Sequence, residues 1–185
     1  MQQASALCIH VDEALQLRLH EARYAELYFA LIERNRTHLQ AWEPWASDEG
    51  SLESTRTYIK QTLHQFAEGT SLQTEIWYQD QLVGSIGLHG IDGADRKAEI
   101  GYWIDAAMQG KGIVTRACRA LISYAFTHYH LHRVEIHCAA ENTRSRAIPE
   151  RLGFTQEGIQ RQSQLLNGQF VDIVVYSLLS SEWQA

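Results

Sequence analysis

Residues 109–115, Gln-Gly-Lys-Gly-Ile-Val-Thr, carry the most specific chemical signal in this chain. They stand between an alternating apolar stretch, residues 98–104, and a helical pattern that begins near residue 113. Glycine lets the backbone turn sharply and leaves its N–H groups uncovered. The first turn of a helix adds unpaired amide donors and the positive end of the helix dipole. Lys111 places a formal positive charge beside them. This combination suits a phosphate-like anion; the plainer alternative is a simple strand-to-helix turn. Neither the Walker A pattern nor the dinucleotide GxGxxG fingerprint is present.

Glu99 is the second candidate. A carboxylate in mid-strand between apolar neighbours should be partly desolvated, which raises its pKa toward the range of a general base. It shares a strand face with Gly101 and Trp103. The alternative is a structural carboxylate paired with Arg96 or Arg133. Glu135 and His137, on the next strand, are secondary candidates. The chain has nine histidines, of which His128, His130 and His132 alternate as zinc ligands on a strand would. Their place between a helix and a strand argues instead for a solvated loop. No Cys-x-x-Cys or HExxH pattern accompanies them, and no metal is expected. Cys118 and Cys138 read as core packing rather than nucleophiles. The aperiodic segment with Trp42, Pro44 and Trp45 either walls a binding groove or caps a sheet edge.

The elements that must position these groups follow from periodicity. A strand at residues 15–19 precedes a helix over 21–33 and a second helix over 52–68. Strands at 71–79 and 81–88 meet in a tight turn at Asp80, and another strand covers 98–104. A helix over 113–129 leads to a strand near 134–138, a spacing that suits one right-handed parallel crossover. A short helix over 143–152 is kinked by Pro149. Asn167-Gly168 then joins two alternating stretches as a β-hairpin. The expected class is α/β (α+β): a mixed, mostly antiparallel sheet with one parallel joint, in a single domain over 1–185.

Composition agrees with an ordinary globular chain. It has 185 residues, 45% hydrophobic and 21% charged, with a net charge of −6. That balance disfavours a nucleic-acid-binding surface. No apolar run approaches the roughly 20 residues needed to span a bilayer. The start, MQQASALCIH, lacks the basic and apolar parts of a signal peptide. Three cysteines, an odd number, fit reduced thiols in the cytoplasm.

Residues 109–114 resemble the acyl-CoA pyrophosphate loop of the GNAT N-acetyltransferases, Gln/Arg-x-x-Gly-x-Gly/Ala, with Val114 departing at the last position. AEIGYWI at 98–104 resembles the strand before that loop. Asn142-Thr143-Arg144-Ser145 and Arg151-Leu152-Gly153-Phe154 resemble the later cofactor-side motif. Together they are similar to the branch that holds the ribosomal-protein serine and alanine N-terminal acetyltransferases. The resemblance implies a GNAT fold with helices on both faces and acetyl-CoA in a splayed gap between two parallel strands. It implies main-chain contacts from Trp103 and Ile104, and pyrophosphate on the amides of Gln109, Gly110, Lys111, Gly112, Ile113, Val114 and Thr115. Asn142 would hold the pantetheine arm, and Ser145 would protonate the leaving thiolate, unless it only caps a helix. The carboxylate that some relatives use as base falls near Gln164 here, which cannot take a proton, so proton loss to water stays open. The implied acceptor is the α-amine of a Ser- or Ala-starting ribosomal protein. A small amine (polyamine, aminoglycoside or amino-acid-like) and a silent acyl-CoA binder are the alternatives. Related enzymes are often dimers or larger.

Overall fold

The computed structural model describes residues 7–47 and 49–184; residues 1–6, on which much of the N-terminal expectation rests, lie outside them. Eight strands form one sheet in the order β1-β2-β3-β4-β5-β6-β8-β7 among the described residues. They are β1 (Cys8–His10), β2 (Leu15–Leu19), β3 (Leu72–Tyr78), β4 (Gln81–Asp92), β5 (Lys97–Ile104), β6 (Arg133–Ala139), β7 (Thr155–Leu166) and β8 (Gln169–Leu179). The α helices are α1 (Ala25–Gln40), α2 (Leu52–Ala67), α3 (Ile113–Thr127) and α4 (Thr143–Arg151). Every pairing is antiparallel except β5 with β6. The hairpins turn where expected. Gln79 and Asp80 have φ of 51° and 57°, and Asn167 and Gly168 have 50° and 77°, the paired positive angles that match strand twist.

Three elements differ from the periodicity, one of them β4, which runs to Asp92 rather than residue 88. Helix α1 runs to Gln40 rather than stopping at Glu33, because a buried polar residue interrupts its apolar face. Asn35 donates to the Leu31 carbonyl at 2.9 Å and accepts the Ala106 N–H at 2.9 Å, so it is buried with partners. Strand β1 is three residues long, too short to show alternation.

The two faces of the sheet are chemically unlike. One carries Ile76, Ile86, Ile100, Val134, Ile136, Val174 and Tyr176, in one apolar cluster with Ile113, Ala117, Cys118 and Leu121 of α3. Fully burying each Leu or Ile is worth ~1.5–3 kcal/mol, so this face holds most of the hydrophobic stabilisation. The register turns Gln73, Glu75, Ser85, His89, Glu99 and Glu135 toward the other face, where α1 packs on β4 and α2 on β3. Gly87 and Gly101 are cross-strand partners there. They leave a trough: a Cβ at Gly87 would stand 2.2 Å from the Gln73 Oε1, and one at Gly101 would stand 2.8 Å from the His89 Nε2.

Glu75 is 0% exposed. Its Oε2 accepts from the Trp77 indole at 2.8 Å, and its Oε1 has no hydrogen-bond partner among the described residues. Burial pushes this carboxyl up to about 7, against the pull of the Trp77 hydrogen bond and the neighbouring arginines. The folded state therefore holds its proton more tightly than the unfolded chain, whose group titrates near 4.5. Stability from this group is complete below about 4.5 and is lost as pH rises through about 7. Buried His20, held down to about 4, works in the opposite direction between about 4 and 6.5. Glu75→Gln isolates the carboxyl. Urea unfolding should show the variant gaining stability relative to wild type between pH 5 and pH 8, by on the order of 2 kcal/mol.

Candidate functional site

The site grows from the parting of β5 and β6. They pair only at Lys97, Ala98 and Glu99 with Arg133, Val134 and Glu135. Beyond that point β5 stays on β4 and β6 stays on β8, and the facing edges separate. Strand alternation decides which amides are left in the gap. The Asp105 N–H donates to Val83 of β4, and the Arg96 carbonyl accepts on the β6 side. Even-numbered residues of β5 therefore face the gap. The Tyr102 and Ile104 N–H groups point there, beyond the last β5–β6 pair among the described residues. The Trp103 main chain, expected in the gap, is turned to β4 instead, and its indole forms part of the polar face.

Helix α1 fixes the loop that follows β5. Arg34 grips the Asp105 Oδ2 through Nε at 3.1 Å and Nη2 at 2.6 Å, while Asn35 takes the Ala106 N–H. Gln109 bridges outward, with its carboxamide 2.7 Å from the His38 Nε2 and 2.5 Å from the Arg144 Nη1. Gly112 caps α3 in the left-handed region, φ 70°. Ile113 and Val114 bury their side chains, which aims the first helix amides outward. The departure at Val114 thus places a buried apolar side chain where the family consensus has Gly or Ala. These residues line a cleft of about 1200 Å³ with Arg116, Arg144 and Arg151. The first turn of α3 and several cationic side chains thus border one cleft.

Across the gap, Asn142 caps α4: its Oδ1 accepts the Ser145 N–H at 3.1 Å. Any contact from Asn142 to the pantetheine therefore rests on its Nδ2. The Ser145 Oγ donates to the Tyr102 Oη at 3.2 Å and lies 3.2 Å from the Cys138 Sγ. Tyr102 donates in turn to the Ser145 carbonyl at 3.1 Å. Burial holds the Tyr102 phenol well above its usual pKa, so it keeps its proton. Its ring joins the apolar face, but its hydroxyl completes the Ser145 chain, a contact that only the converging strand and helix reveal.

On the polar face a second cavity of about 980 Å³ lies beneath α1, α2 and the β7–β8 hairpin. Glu99 is on its wall, with a side chain 45% exposed. Its Oε2 is 3.5 Å from the His137 Nδ1, and the His137 Nε2 is 2.9 Å from the Glu135 Oε2. Burial and the Glu135 charge raise the Glu99 pKa while His137 lowers it. Arg133 is engaged by Glu135 and Glu157 and Arg96 bonds the His130 carbonyl, so the partner beside Glu99 is His137 and not an arginine. Gln164 also lines the cavity. Trp42 and Trp45 are on its wall, with the Trp45 ring 6.2 Å from that of Trp103 in mid-sheet. They therefore wall the groove and do not cap a sheet edge. His128 stacks on Tyr124 at 4.1 Å.

The cavity and the cleft share six lining residues: Trp42, Glu43, Tyr102, Trp103, Asn142 and Ser145. A cleft bordered by a helix N-terminus and cations meets a second cavity at a splayed parallel pair, the arrangement expected of an acyl-CoA-dependent transferase. An acetyltransferase (GNAT) domain matches residues 14–155, and the chain belongs to this family. It is similar to the YdaF protein of Bacillus subtilis (strain 168), 43% identical over 175 residues, covering 94% of this chain and 96% of that one. It is 32% identical over 169 residues to the ribosomal-protein-serine acetyltransferase of Escherichia coli (strain K12), covering 91% and 94%. A solved structure of RimL, a ribosomal alpha-N-protein acetyltransferase bound to coenzyme A through a cysteine disulfide, superposes with a TM-score of 0.91 at 28% identity, covering 94% and 98%. The protein is an N-acetyltransferase that uses acetyl-CoA.

Gly112→Asp tests the loop. Aspartate tolerates the left-handed region at a cost of ~1 kcal/mol, so the fold should persist by circular dichroism. A carboxylate among the anion donors should weaken acetyl-CoA binding at least tenfold by calorimetry. Unchanged binding would remove the pyrophosphate from this loop.

Proposed function

We propose that the protein acetylates the α-amino group of proteins that begin with Ser or Ala, ribosomal proteins foremost, in the cytoplasm. The observation that carries this reading is the acceptor cavity of about 980 Å³, large enough for the first residues of a chain. It runs under the Gln160–Gln164 segment and meets the cofactor cleft at Tyr102 and Ser145. The relatives named for ribosomal-protein acetylation point the same way, and a net charge of −6 favours a basic acceptor.

Acetyl-CoA supplies an activated thioester, and the residues around the gap supply the rest. The Tyr102 and Ile104 N–H groups are the donors for the oxyanion and the pantetheine amides, and each well-aimed oxyanion donor is worth ~3–4 kcal/mol. Ser145 protonates the leaving thiolate, with Tyr102 as its hydrogen-bonded partner. Glu99, with His137 beside it, draws the acceptor ammonium into the cavity. A small cationic amine is the second reading, favoured by the carboxylates Glu43, Glu49 and Glu99 in the same cavity.

Release of free CoA thiol across an acceptor panel separates the two readings. Peptides beginning with Ser or Ala should turn over, while spermidine and an aminoglycoside should not; the reverse pattern would establish the second reading. Ser145→Ala should lower kcat about 100-fold with the KM for acetyl-CoA unchanged, and a fall of less than threefold would assign thiolate protonation to solvent.

A further inference from the structure

Of the six residues that border both the acceptor cavity and the cofactor cleft, one is a carboxylic acid, Glu43. Glu99 borders the acceptor cavity alone. The acceptor nitrogen must reach the thioester carbon where the two spaces join, so a group that removes its proton has to stand at that junction. Glu43 lies just beyond the C-terminus of α1, between Trp42 and Pro44, half-buried. Its Oε2 accepts a hydrogen bond from the Trp45 indole at 2.8 Å, which fixes the carboxylate against the cavity wall. Tyr58 of α2 is close enough to sense its charge. The periodicity of the sequence offered no signal here, because the segment is aperiodic and its tryptophans drew the functional reading.

We infer that Glu43 is the general base of the transfer, taking the acceptor ammonium's proton at the junction of the two cavities. The inference rests on the acetyl-transfer reading above. In the step, a carboxylate oxygen of Glu43 takes one proton from the ammonium and later releases it to solvent. The freed amine attacks the acetyl carbon. The C–N bond forms, the C–S bond breaks with its electron pair going to sulfur, and the second nitrogen proton balances the one that Ser145 gives the thiolate. The product is an amide plus the free thiol.

The electrostatics agree with this role. Burial pushes the Glu43 carboxyl up to about 7, while the Trp45 hydrogen bond pulls it down. The other charged or titratable groups lining the acceptor cavity are Arg36 on α1, Glu49, Tyr58 on α2, His89 on β4, Glu99 on β5 and His137 on β6, with Tyr28, Tyr102 and Cys138 buried and protonated. The cofactor cleft adds His38, Lys111, Glu141 and the arginines at 116, 144 and 151. A base that titrates near neutrality accepts a proton and gives it up again with little cost in either direction.

The test is kcat/KM against pH from 6 to 9, using the amine that the wild type turns over best. The wild-type profile should rise as Glu43 ionises, through about 7. Glu43→Gln keeps the shape and can still accept the Trp45 hydrogen bond. It should lower kcat/KM about 100-fold and move the rise to the amine's own pKa, about 8 for an N-terminal α-amine, with the KM for acetyl-CoA unchanged. Glu43→Asp should restore part of the rate and the lower rise. Trp45→Phe removes the hydrogen bond that lowers the Glu43 pKa, so the rise should move upward. A Glu43→Gln enzyme with the wild-type profile and a rate within threefold would overturn the assignment while leaving acetyl transfer intact. A wild type that acetylates no amine would overturn both.

Discussion

The structure depends on two parallel strands that pair for three residues and then part. Backbone N–H groups in a protein interior must find partners, and β5 and β6 leave theirs open beyond Glu99 and Glu135. The opening is held from both sides. β5 is zipped to β4 along residues 99–104, and β6 is zipped to β8 along its whole length. Neither strand can move to close the gap without breaking an antiparallel ladder, so the unpaired amides are presented in fixed positions. A ligand with alternating amide groups is what such an edge would bind.

The second constraint is the difference between the two sheet faces. The α3 side is closed and apolar, and it holds the molecule together. The α1–α2 side carries His89, Glu99 and His137, which keep contact with solvent and would be costly to bury against a fully packed layer. The cavity exists because these groups leave that side incompletely covered. Its chemistry and its emptiness thus have one cause, and the stability of the domain is provided elsewhere. Arg34 and Asn35 tie the two sides together, since both reach from α1 to residues 105–106, where the chain leaves β5 for the glycine loop.

The elements with strong local signals were legible in the sequence. The Asn167-Gly168 hairpin rests on chemistry within a few neighbouring residues, and the parallel crossover on strand and helix patterns that follow one another along the chain. What could not be read depended on contacts between distant segments. Asn35 looked like the end of a helix because its partner, Ala106, lies 71 positions away. The Tyr102 hydroxyl and Ser145 are 43 positions apart and meet only after α4 docks. The main-chain role given to Trp103 failed for a different reason. Side-chain periodicity tells which face a residue occupies, but an outside hydrogen bond is needed to tell which edge its amide addresses.

The trough formed by Gly87 and Gly101 has a consequence for the shape of the cavity. His89 lies flat across the position where residue 101 would otherwise carry a methyl group. A change from glycine to alanine would lift the imidazole off the sheet and raise the cavity floor. Gly101 lies on the cavity wall and carries no side chain, so a single substitution there would change the depth of the pocket while leaving Glu43 and Ser145 in place.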